Sequence, residues 1–510
     1  MRTTSVNSAI AHARANSAVN HRTYHDMGEQ VDSESLPMTV DANYDKTTRT
    51  MHPRKLTIVP LIFLVYFEVS GGPIGTEQAV QAGGALLALL GFLVFPFIWS
   101  VPEALVTAEM ATAYPENGGY VLWTSAAFGP FWGFLQGWWK WTSGIINNAT
   151  YPILCLDYLQ SILPIVGSGR GRLIGQICFT GLLTYLNYRG LTIVGWSAVL
   201  IGIIGLLPFI IMIGLAVPKI NPSRWLSLDL QSVDWRVFSN ILFWNLNFWD
   251  NASTLAGEVE QPERAFPRAI LSAGVLVGLS YFLPLLAGIG AYDVVRSEWV
   301  TGFYPILAER LGGRWLQWWM ELGATLSCVG LFAAQMSSSS FQVLGMADMG
   351  ILPAVFASRS FYNTPYIGIL LSAVGALFLS FLSFQDVVQS ANALYSYGML
   401  LEFFAFLWLR IREPDAHRPF RIPLGNLGVT IMCVPPCVLL VFVVALSSLK
   451  VIVLSCVLTV GGLLLYLCLG CTKRRMWMKF FEACAAEGSS CHIQGKRSIK
   501  QEEKTGLLQD

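Results

Sequence analysis

Long apolar runs recur along the chain from Leu56 to Leu469, and short polar loops separate them. Each run has roughly 20 residues, the length of α-helix that crosses the hydrocarbon core of a bilayer. Only 13% of the 510 residues are charged, against about 25% in an average soluble domain. The sequence therefore predicts an all-α polytopic membrane protein.

The apolar runs predict about twelve transmembrane helices. Their approximate bounds are 56–80, 85–112, 127–163, 171–189, 191–217, 237–257, 269–291, 315–346, 367–384, 387–410, 426–447 and 451–470. With both termini in the cytoplasm, the inside segments hold more Lys and Arg than the outside loops, as membrane proteins generally do. We therefore expect both termini to be cytoplasmic.

The first span contains an interruption, in the sequence YFEVSGGPIGTEQAV at residues 66–80. Glu68 and Glu77 flank the helix-breaking sequence GGPIG at 71–75. Buried charges and unpaired backbone groups are both costly in hydrocarbon. We therefore expect this segment to line an internal cavity and not to face lipid.

The sixth span contains a second interruption, in NILFWNLNFWDNASTLAGEVE at residues 240–260. Asn and Asp residues cluster in its middle, and their side chains compete for backbone hydrogen bonds. A break is therefore expected at about 245–251. Two interrupted spans in corresponding positions are the signature of a transporter with inverted repeats, in which the breaks form the substrate site.

The charges at these breaks favour a cationic substrate. Glu68 lies about one turn before the first break, where the carbonyl end of the half-helix is also partly negative. The amide end of the next half-helix suits a carboxylate, but Glu77 already lies in its first turn. Asp250 adds a second acid, and Trp244 and Trp249 can stack on cationic or alkyl groups. We expect a substrate with two or more ammonium groups.

Each acid also has a structural interpretation. Glu68 can pair with Lys140 of the third span, since buried charges normally pair. Asp250 can satisfy unwound backbone, and Glu77 can cap the half-helix. The roles of three further acids stay open: Asp157, Glu321 and Glu402.

No histidine lies in any predicted span. If transport is coupled to protons, an intramembrane carboxylate has to carry them. The candidates are Glu68, Glu103 and Glu109.

Three spaced motifs resemble one family. Residues 108–120 read AEMATAYPENGGY, 258–270 read EVEQPERAFPRAI and 418–423 read RPFRIP. In this order they resemble signatures of the amino acid, polyamine and organocation transporter superfamily. Within it, VYFEVSGGPIGTE at 65–77 and FWNLNFWDNAST at 243–254 resemble the L-type-related branch, and most closely the plant polyamine uptake transporters.

The resemblance implies a LeuT-like fold with alternating access. Ten core helices would form two inverted repeats of five, at 54–217 and 237–412, with discontinuous helices 1 and 6 and two further helices at 425–470. This transporter domain would span 54–470, between a disordered cytoplasmic tail at 1–53 and a cytoplasmic tail at 471–510. The resemblance also implies import of putrescine and spermidine, with paraquat as a further candidate.

Residues expected to contact the substrate lie on the two breaks and on the third and tenth spans. They are Glu68, Gly71, Gly72, Gly75, Asn147, Asn148, Trp244, Asn245, Asn247, Trp249, Asp250, Tyr395 and Tyr397. By resemblance, Trp249 would be a gate or stacking wall and Asp250 an amine ligand. No metal or other cofactor is expected.

Two other functions agree less well with the sequence. A cationic or neutral amino acid transporter would need a free amide end for the substrate carboxylate, and Glu77 lies there. A membrane-embedded enzyme would need a His cluster or an activated Ser, which the spans lack. The expected partners are a polyamine, protons and the lipid bilayer, without nucleic acid. The plasma membrane is the expected location, with the Golgi, ER or vacuolar membrane as alternatives.

Overall fold

The computed structural model describes residues 55–73, 75–160, 163–380 and 384–481, with only the backbone of 384–386. The tail predicted at 1–53, and the predicted C-terminal tail beyond residue 481, lie outside the described residues. Within the described residues the chain is helical, and its one β-type pairing is an isolated bridge between Leu56 and Val259.

The α-helices of the described residues follow one another with short connections. They are α1 (Ile58–Val69), α2 (Thr76–Gly83), α3 (Ala85–Ile98), α4 (Ser100–Ala113), α5 (Tyr120–Phe128), α6 (Pro130–Asn148), α7 (Thr150–Leu159), α8 (Gly169–Arg189), α9 (Leu191–Ala216), α10 (Trp235–Leu246), α11 (Pro262–Ala291), α12 (Phe303–Gly312), α13 (Arg314–Asp348), α14 (Tyr366–Leu379), α15 (Phe384–Arg412), α16 (Asn426–Ala445) and α17 (Leu449–Arg474). A 3₁₀ helix at Trp249–Glu258 follows α10.

Several helices are long and apolar enough to cross a membrane. In the described part of the chain, length and composition identify six such segments: Ala85–Ala113, Leu191–Lys219, Pro262–Ala291, Val387–Arg412, Asn426–Ala445 and Leu449–Arg474. Apolar side chains such as Ile431 and Val438 of α16 point outward from the protein. The chain is an integral, multi-pass membrane protein.

The first predicted break is confirmed. Helix α1 ends at Val69 and α2 begins at Thr76. Between them Gly72 and Gly75 have φ angles of 102° and 86°, a left-handed conformation that only glycine adopts readily. The glycines of this stretch therefore interrupt the helix in the middle of an apolar span.

The second predicted break is also confirmed, and it is narrower than expected. Helix α10 ends at Leu246, and Asn247 is extended. Phe248 then has a φ angle of 73°, which is uncommon for a bulky residue and indicates local strain. The chain continues as the 3₁₀ helix from Trp249 and not as an α-helix.

Elsewhere the structure differs from the predicted spans. The single span expected at 127–163 is two helices, α6 and α7, which meet at Ala149. The preceding helix α5 was not predicted separately, and the turn at Gly129, with a φ angle of 93°, divides it from α6. Helix α12 lies between the predicted spans 269–291 and 315–346, where no helix was expected, and it buries a face that includes Phe303 and Leu307.

Helix α13 runs through the interior of the protein and contacts α1, α6, α7, α9 and the 3₁₀ helix. Small residues permit its close approach to α9. A Cβ atom on Gly323 would lie 3.2 Å from the carbonyl oxygen of Gly205. Small residues at such crossings let two helix backbones pack directly in a membrane.

A buried ion cluster joins two of the sequence motifs. Glu109 of α4 forms ion pairs with Arg410 of α15 and with Arg418, whose Nε lies 3.3 Å from Oε1. The backbone N–H of Ile422 donates to Glu109 Oε2 at 2.8 Å. Glu109 therefore has two cationic partners and holds the loop after α15 against α4.

Replacing Glu109 with Gln is expected to destabilise the folded protein. Removing one partner of a buried ion pair typically costs about 3–5 kcal/mol, and here two arginines would lose their anion. Thermal unfolding of the detergent-purified variant, followed by size-exclusion chromatography, measures the effect. The matched control is Glu413→Gln, since Glu413 is exposed and directly follows α15, the helix that carries Arg410. Equal unfolding temperatures for E109Q and wild type would contradict this role.

Candidate functional site

The two breaks face each other in the interior of the protein. A Cβ atom added to Gly75 would lie 2.9 Å from the Trp244 ring and 3.5 Å from the side chain of Asn245. The half-helices that begin and end at the breaks therefore meet in one region, where the unwound backbone is shielded from lipid. Irregular backbone at membrane depth is tolerated only in such protected places.

A small cavity lies between the breaks. It is lined by Glu68, Val69, Gly71, Tyr151, Trp244, Asn245, Phe248, Tyr281, Leu331 and Gln335. Its free volume is about 10 Å³, which is room for about one water molecule. The site is thus closed in this conformation, and its walls have to separate before a larger molecule can enter.

Glu68 is the acidic residue of this cavity and is 1% exposed. Its Oε2 accepts a hydrogen bond from Asn251 Nδ2 at 3.2 Å. Its Oε1 makes no hydrogen bond of good geometry among the described residues. An unpaired polar atom in a buried position is costly, so Glu68 has an unused capacity to bind a donor or a cation.

The other walls of the cavity are largely aromatic, and Asn147 of α6 positions them. Trp244 Nε1 donates to Asn147 Oδ1 at 2.7 Å. Asn147 Nδ2 in turn donates to Tyr151 at 2.9 Å and to Gln335 at 2.7 Å. Aromatic faces next to a carboxylate are well suited to a cationic ligand.

Glu77 occupies the amide end of α2. The backbone N–H of Gly75 donates to its Oε2 at 2.9 Å, and Glu77 is almost fully buried. The predicted capping role of Glu77 is therefore confirmed. A carboxylate from outside would have to compete for this N–H with a carboxylate that belongs to the protein.

Lys140 of α6 pairs with Asp250, and both side chains are completely buried. The alternative pairing of Lys140 with Glu68 is therefore wrong. The reason is the path of the lysine stem, which lies against Gly398 of α15 and carries the ammonium to Met399 and Asp250. The ammonium also lies 3.5 Å from the ring centre of Tyr395.

Tyr395 of α15 links two acids beside the second break. Its hydroxyl oxygen lies 2.5 Å from Glu103 Oε1 and 2.7 Å from Asp250 Oδ1. It also accepts a hydrogen bond from the Phe248 N–H at 3.0 Å. The Trp249 N–H donates to Glu103 Oε1 at 2.8 Å. These bonds connect α4, α15 and the start of the 3₁₀ helix.

The structure brings only some of the predicted residues to the cavity. Glu68, Gly71, Trp244 and Asn245 line it, and Asn147 supports its wall. The other predicted site residues do not line it in this conformation: Gly72, Gly75, Asn148, Asn247, Trp249, Asp250, Tyr395 and Tyr397.

Several of these residues have partners of their own. The Trp249 indole donates to the Leu246 carbonyl at 2.9 Å, and Asn247 donates to Asn392 at 3.4 Å. Tyr397 packs against Trp139, with ring centres 5.6 Å apart. Asn148 is different, because it is buried and its side-chain amide has no hydrogen-bond partner among the described residues.

The sequence interpretation missed six of the ten residues that line the cavity: Val69, Tyr151, Phe248, Tyr281, Leu331 and Gln335. The sequence contains an indication for one of these residues, Gln335. Gln335 begins the run QMSSSSFQ at 335–342, which is unusually polar for the middle of an apolar span and is expected to face the protein interior. Tyr281 and Leu331 lie in ordinary apolar sequence, which gives no indication that they line a cavity.

Replacing Gly75 with Ala is expected to lower transport by roughly tenfold or more. The left-handed backbone disfavours Ala by about 1–2 kcal/mol, and the new methyl would press on Trp244. The matched control is Gly84→Ala, since Gly84 has a φ angle of 83° but open space around its Cβ position. Uptake into proteoliposomes by equal amounts of folded protein compares the two variants. Equal uptake by the two variants would show that the contact between residue 75 and Trp244 does not affect transport.

Comparisons with known proteins agree with this architecture. A profile described as amino acid permease matches residues 56–470. A probable polyamine transporter of Arabidopsis thaliana is 55% identical over 84% of this chain and 86% of its own length. Polyamine transporter RMV1 of the same plant is 53% identical over 88% of this chain and 92% of its own. Polyamine transporter PUT1 of Oryza sativa subsp. japonica is 52% identical, with coverages of 84% and 80%.

Proposed function

Because the chain belongs to the amino acid permease family, and is therefore a membrane transporter and not an enzyme, we propose that it imports polyamines such as putrescine and spermidine. Glu68 is the observation that carries the proposal. It is a buried carboxylate with one unpaired oxygen, in a cavity walled by Trp244 and Tyr151. A primary ammonium would supply the missing donor and stack its alkyl chain on the rings.

The amide end of α2 supports an amine substrate without a carboxylate. In many transporters with broken helices, a half-helix N-terminus receives the anionic group of the substrate. Here Glu77 accepts from Gly75 in that position. An α-carboxylate entering the site would meet a like charge, which is repulsive at short range. Polyamines avoid this repulsion because they carry no carboxylate.

Glu68 binds the first ammonium group in this proposal, and Asp250 is the second carboxylate. Asp250 is held by Lys140 in the closed conformation, so it reaches the substrate only when that pair opens. Paraquat, a planar dication, is a further candidate because aromatic walls and a carboxylate suit it without any N–H donor.

We place this site in a LeuT-like transporter with twelve transmembrane helices. Its repeats are 54–217 and 237–412, and helices at 425–470 complete the domain. The interrupted segments at 70–75 and 247–248 support this arrangement, because broken helices in matching positions accompany inverted repeats. Proton-coupled import at the plasma membrane, with both termini cytoplasmic, completes the proposal.

Competition between matched amines and amino acids tests the proposed substrate class. Agmatine and arginine differ by one carboxylate, and so do cadaverine and lysine. Agmatine and cadaverine are expected to displace radiolabelled spermidine from the purified protein, whereas arginine and lysine are expected to compete at least tenfold less well, about 1.4 kcal/mol. Equal or stronger competition by the amino acids would instead support a cationic amino acid transporter.

A further inference from the structure

The hydroxyl of Tyr395 has more partners than its single hydrogen can serve. A tyrosine hydroxyl donates one hydrogen and accepts others. The Phe248 N–H already donates to this oxygen, so its own hydrogen is left for Glu103 Oε1 or Asp250 Oδ1, at 2.5 and 2.7 Å. Two carboxylate oxygens cannot both accept it fully, so one short contact needs a hydrogen supplied by a carboxyl group.

Glu103 is the better position for that additional hydrogen. Asp250 already has the Lys140 ammonium as its ion-pair partner. Glu103 has no cationic partner within salt-bridge distance among the described residues, and its Oε2 has no hydrogen-bond partner. A neutral acid with a hydrogen on Oε1 donates to Tyr395, and Tyr395 can then donate to Asp250.

The surrounding charges agree with a neutral Glu103. The charged and titratable groups that face it are Asp250 on the 3₁₀ helix, Lys140 on α6, and Tyr395 and Glu402 on α15. Glu402 lies 4.0 Å from Lys140. Three acids thus share one buried ammonium, and burying surplus charge is strongly unfavourable. Helices α3, α11 and α16 also pack on α4. Helices α3 and α16 carry no charged residue, and those of α11, Glu263, Arg264 and Arg268, are exposed.

We propose that Glu103 is the proton-binding site of the transport cycle. This inference rests on the proposed proton-coupled import. With its proton, Glu103 bonds α4 to Tyr395 and to the second break. When it releases the proton to water on the side where the site opens, Glu103 and Asp250 become two anions that share one tyrosine hydrogen. Their repulsion loosens the contact between α4 and the break, so proton loss is tied to a change in the cavity wall.

Infrared spectroscopy of the purified protein tests the protonation directly. A buried neutral carboxyl group gives a C=O stretching band that a carboxylate or an amide lacks, and the band shifts in D₂O. Wild type at neutral pH is expected to show this absorption, and Glu103→Gln is expected to lose the component that Glu103 contributes, while components from other buried acids remain. The matched control Glu402→Gln is expected to keep the Glu103 component. An unchanged absorption in E103Q, or loss of the same component in E402Q, would overturn the assignment.

Transport measurements test the coupling. E103Q mimics the neutral acid, since its amide can donate to Tyr395, so it is expected to keep spermidine exchange between loaded proteoliposomes. It is expected to lose at least 90% of the accumulation driven by an inward proton gradient, as well as the pH dependence of uptake. E402Q is expected to keep gradient-driven accumulation. Wild-type accumulation and pH dependence in folded E103Q would refute the inference.

The infrared and transport experiments distinguish a failure of this inference from a failure of the proposed function. If wild-type protein moves no polyamine, the proposed substrate is wrong, and the infrared bands still decide whether Glu103 holds the proton. If wild type moves polyamine without any proton flux, Glu103 is not a coupling site. If E103Q does not fold, Tyr395→Phe replaces it, because loss of the hydroxyl removes the bridge and is expected to change the pH dependence of uptake.

Discussion

Glu68→Gln is expected to abolish polyamine uptake while the protein stays folded. The variant keeps the volume of the side chain and can still bond Asn251, which donates to Oε2 in wild type. It removes the negative charge that the cavity offers to an ammonium group. Loss of one partner of a desolvated ion pair costs about 3 kcal/mol or more, which corresponds to roughly a hundredfold in affinity.

Spermidine binding and uptake by equal amounts of purified wild type and E68Q check this expectation. Glu263→Gln is the control, because Glu263 is exposed in the first turn of α11. E263Q is expected to transport normally. Unchanged uptake by E68Q would remove Glu68 from the substrate site, and loss of folded protein would show that its role is structural.

Asp250→Asn is expected to destabilise the protein more than it alters substrate affinity. Asp250 is the ion-pair partner of Lys140, and neither side chain reaches solvent. The substitution leaves a buried ammonium whose remaining acidic neighbour, Glu402, is 4.0 Å away. An uncompensated buried charge of this kind costs about 3–5 kcal/mol. We therefore expect a marked fall in unfolding temperature and in the yield of monodisperse protein.

The double variant Lys140→Met with Asp250→Asn is the matched test of this explanation. It removes both charges and keeps similar volumes, so it is expected to recover most of the lost stability, as replacement of buried ion pairs often does. The opposite result would show that the ion pair with Lys140 contributes little stability and that Asp250 acts mainly on the substrate. In that case D250N folds like wild type, and its apparent KM for spermidine rises about tenfold or more.

The two breaks were predictable because their causes are local. Glycines around Pro73 and amide side chains around Asn247 disfavour continuous helix whatever surrounds them. The position of Glu68 before the first break and the capping by Glu77 also follow from a few neighbouring residues. Such features depend on distances along the chain, which the sequence gives directly.

The partner of Lys140 was not predictable in the same way. Glu68 and Asp250 were both buried acids, and the choice between them depends on how α6 lies against α15. The bridging position of Tyr395 between Glu103 and Asp250 likewise joins three distant segments. The cavity residue Tyr281 has mostly apolar neighbours along α11, so only the packing of that helix brings it to the same cavity as Glu68.

Uptake of radiolabelled spermidine by the purified protein in liposomes tests the central claim most directly. With an inward proton gradient, we predict accumulation that excess cadaverine suppresses and that excess lysine or leucine leaves nearly unchanged. Uptake of lysine or leucine that polyamines do not inhibit would contradict the account. It would mean that the amide end of α2 receives a substrate carboxylate in spite of Glu77.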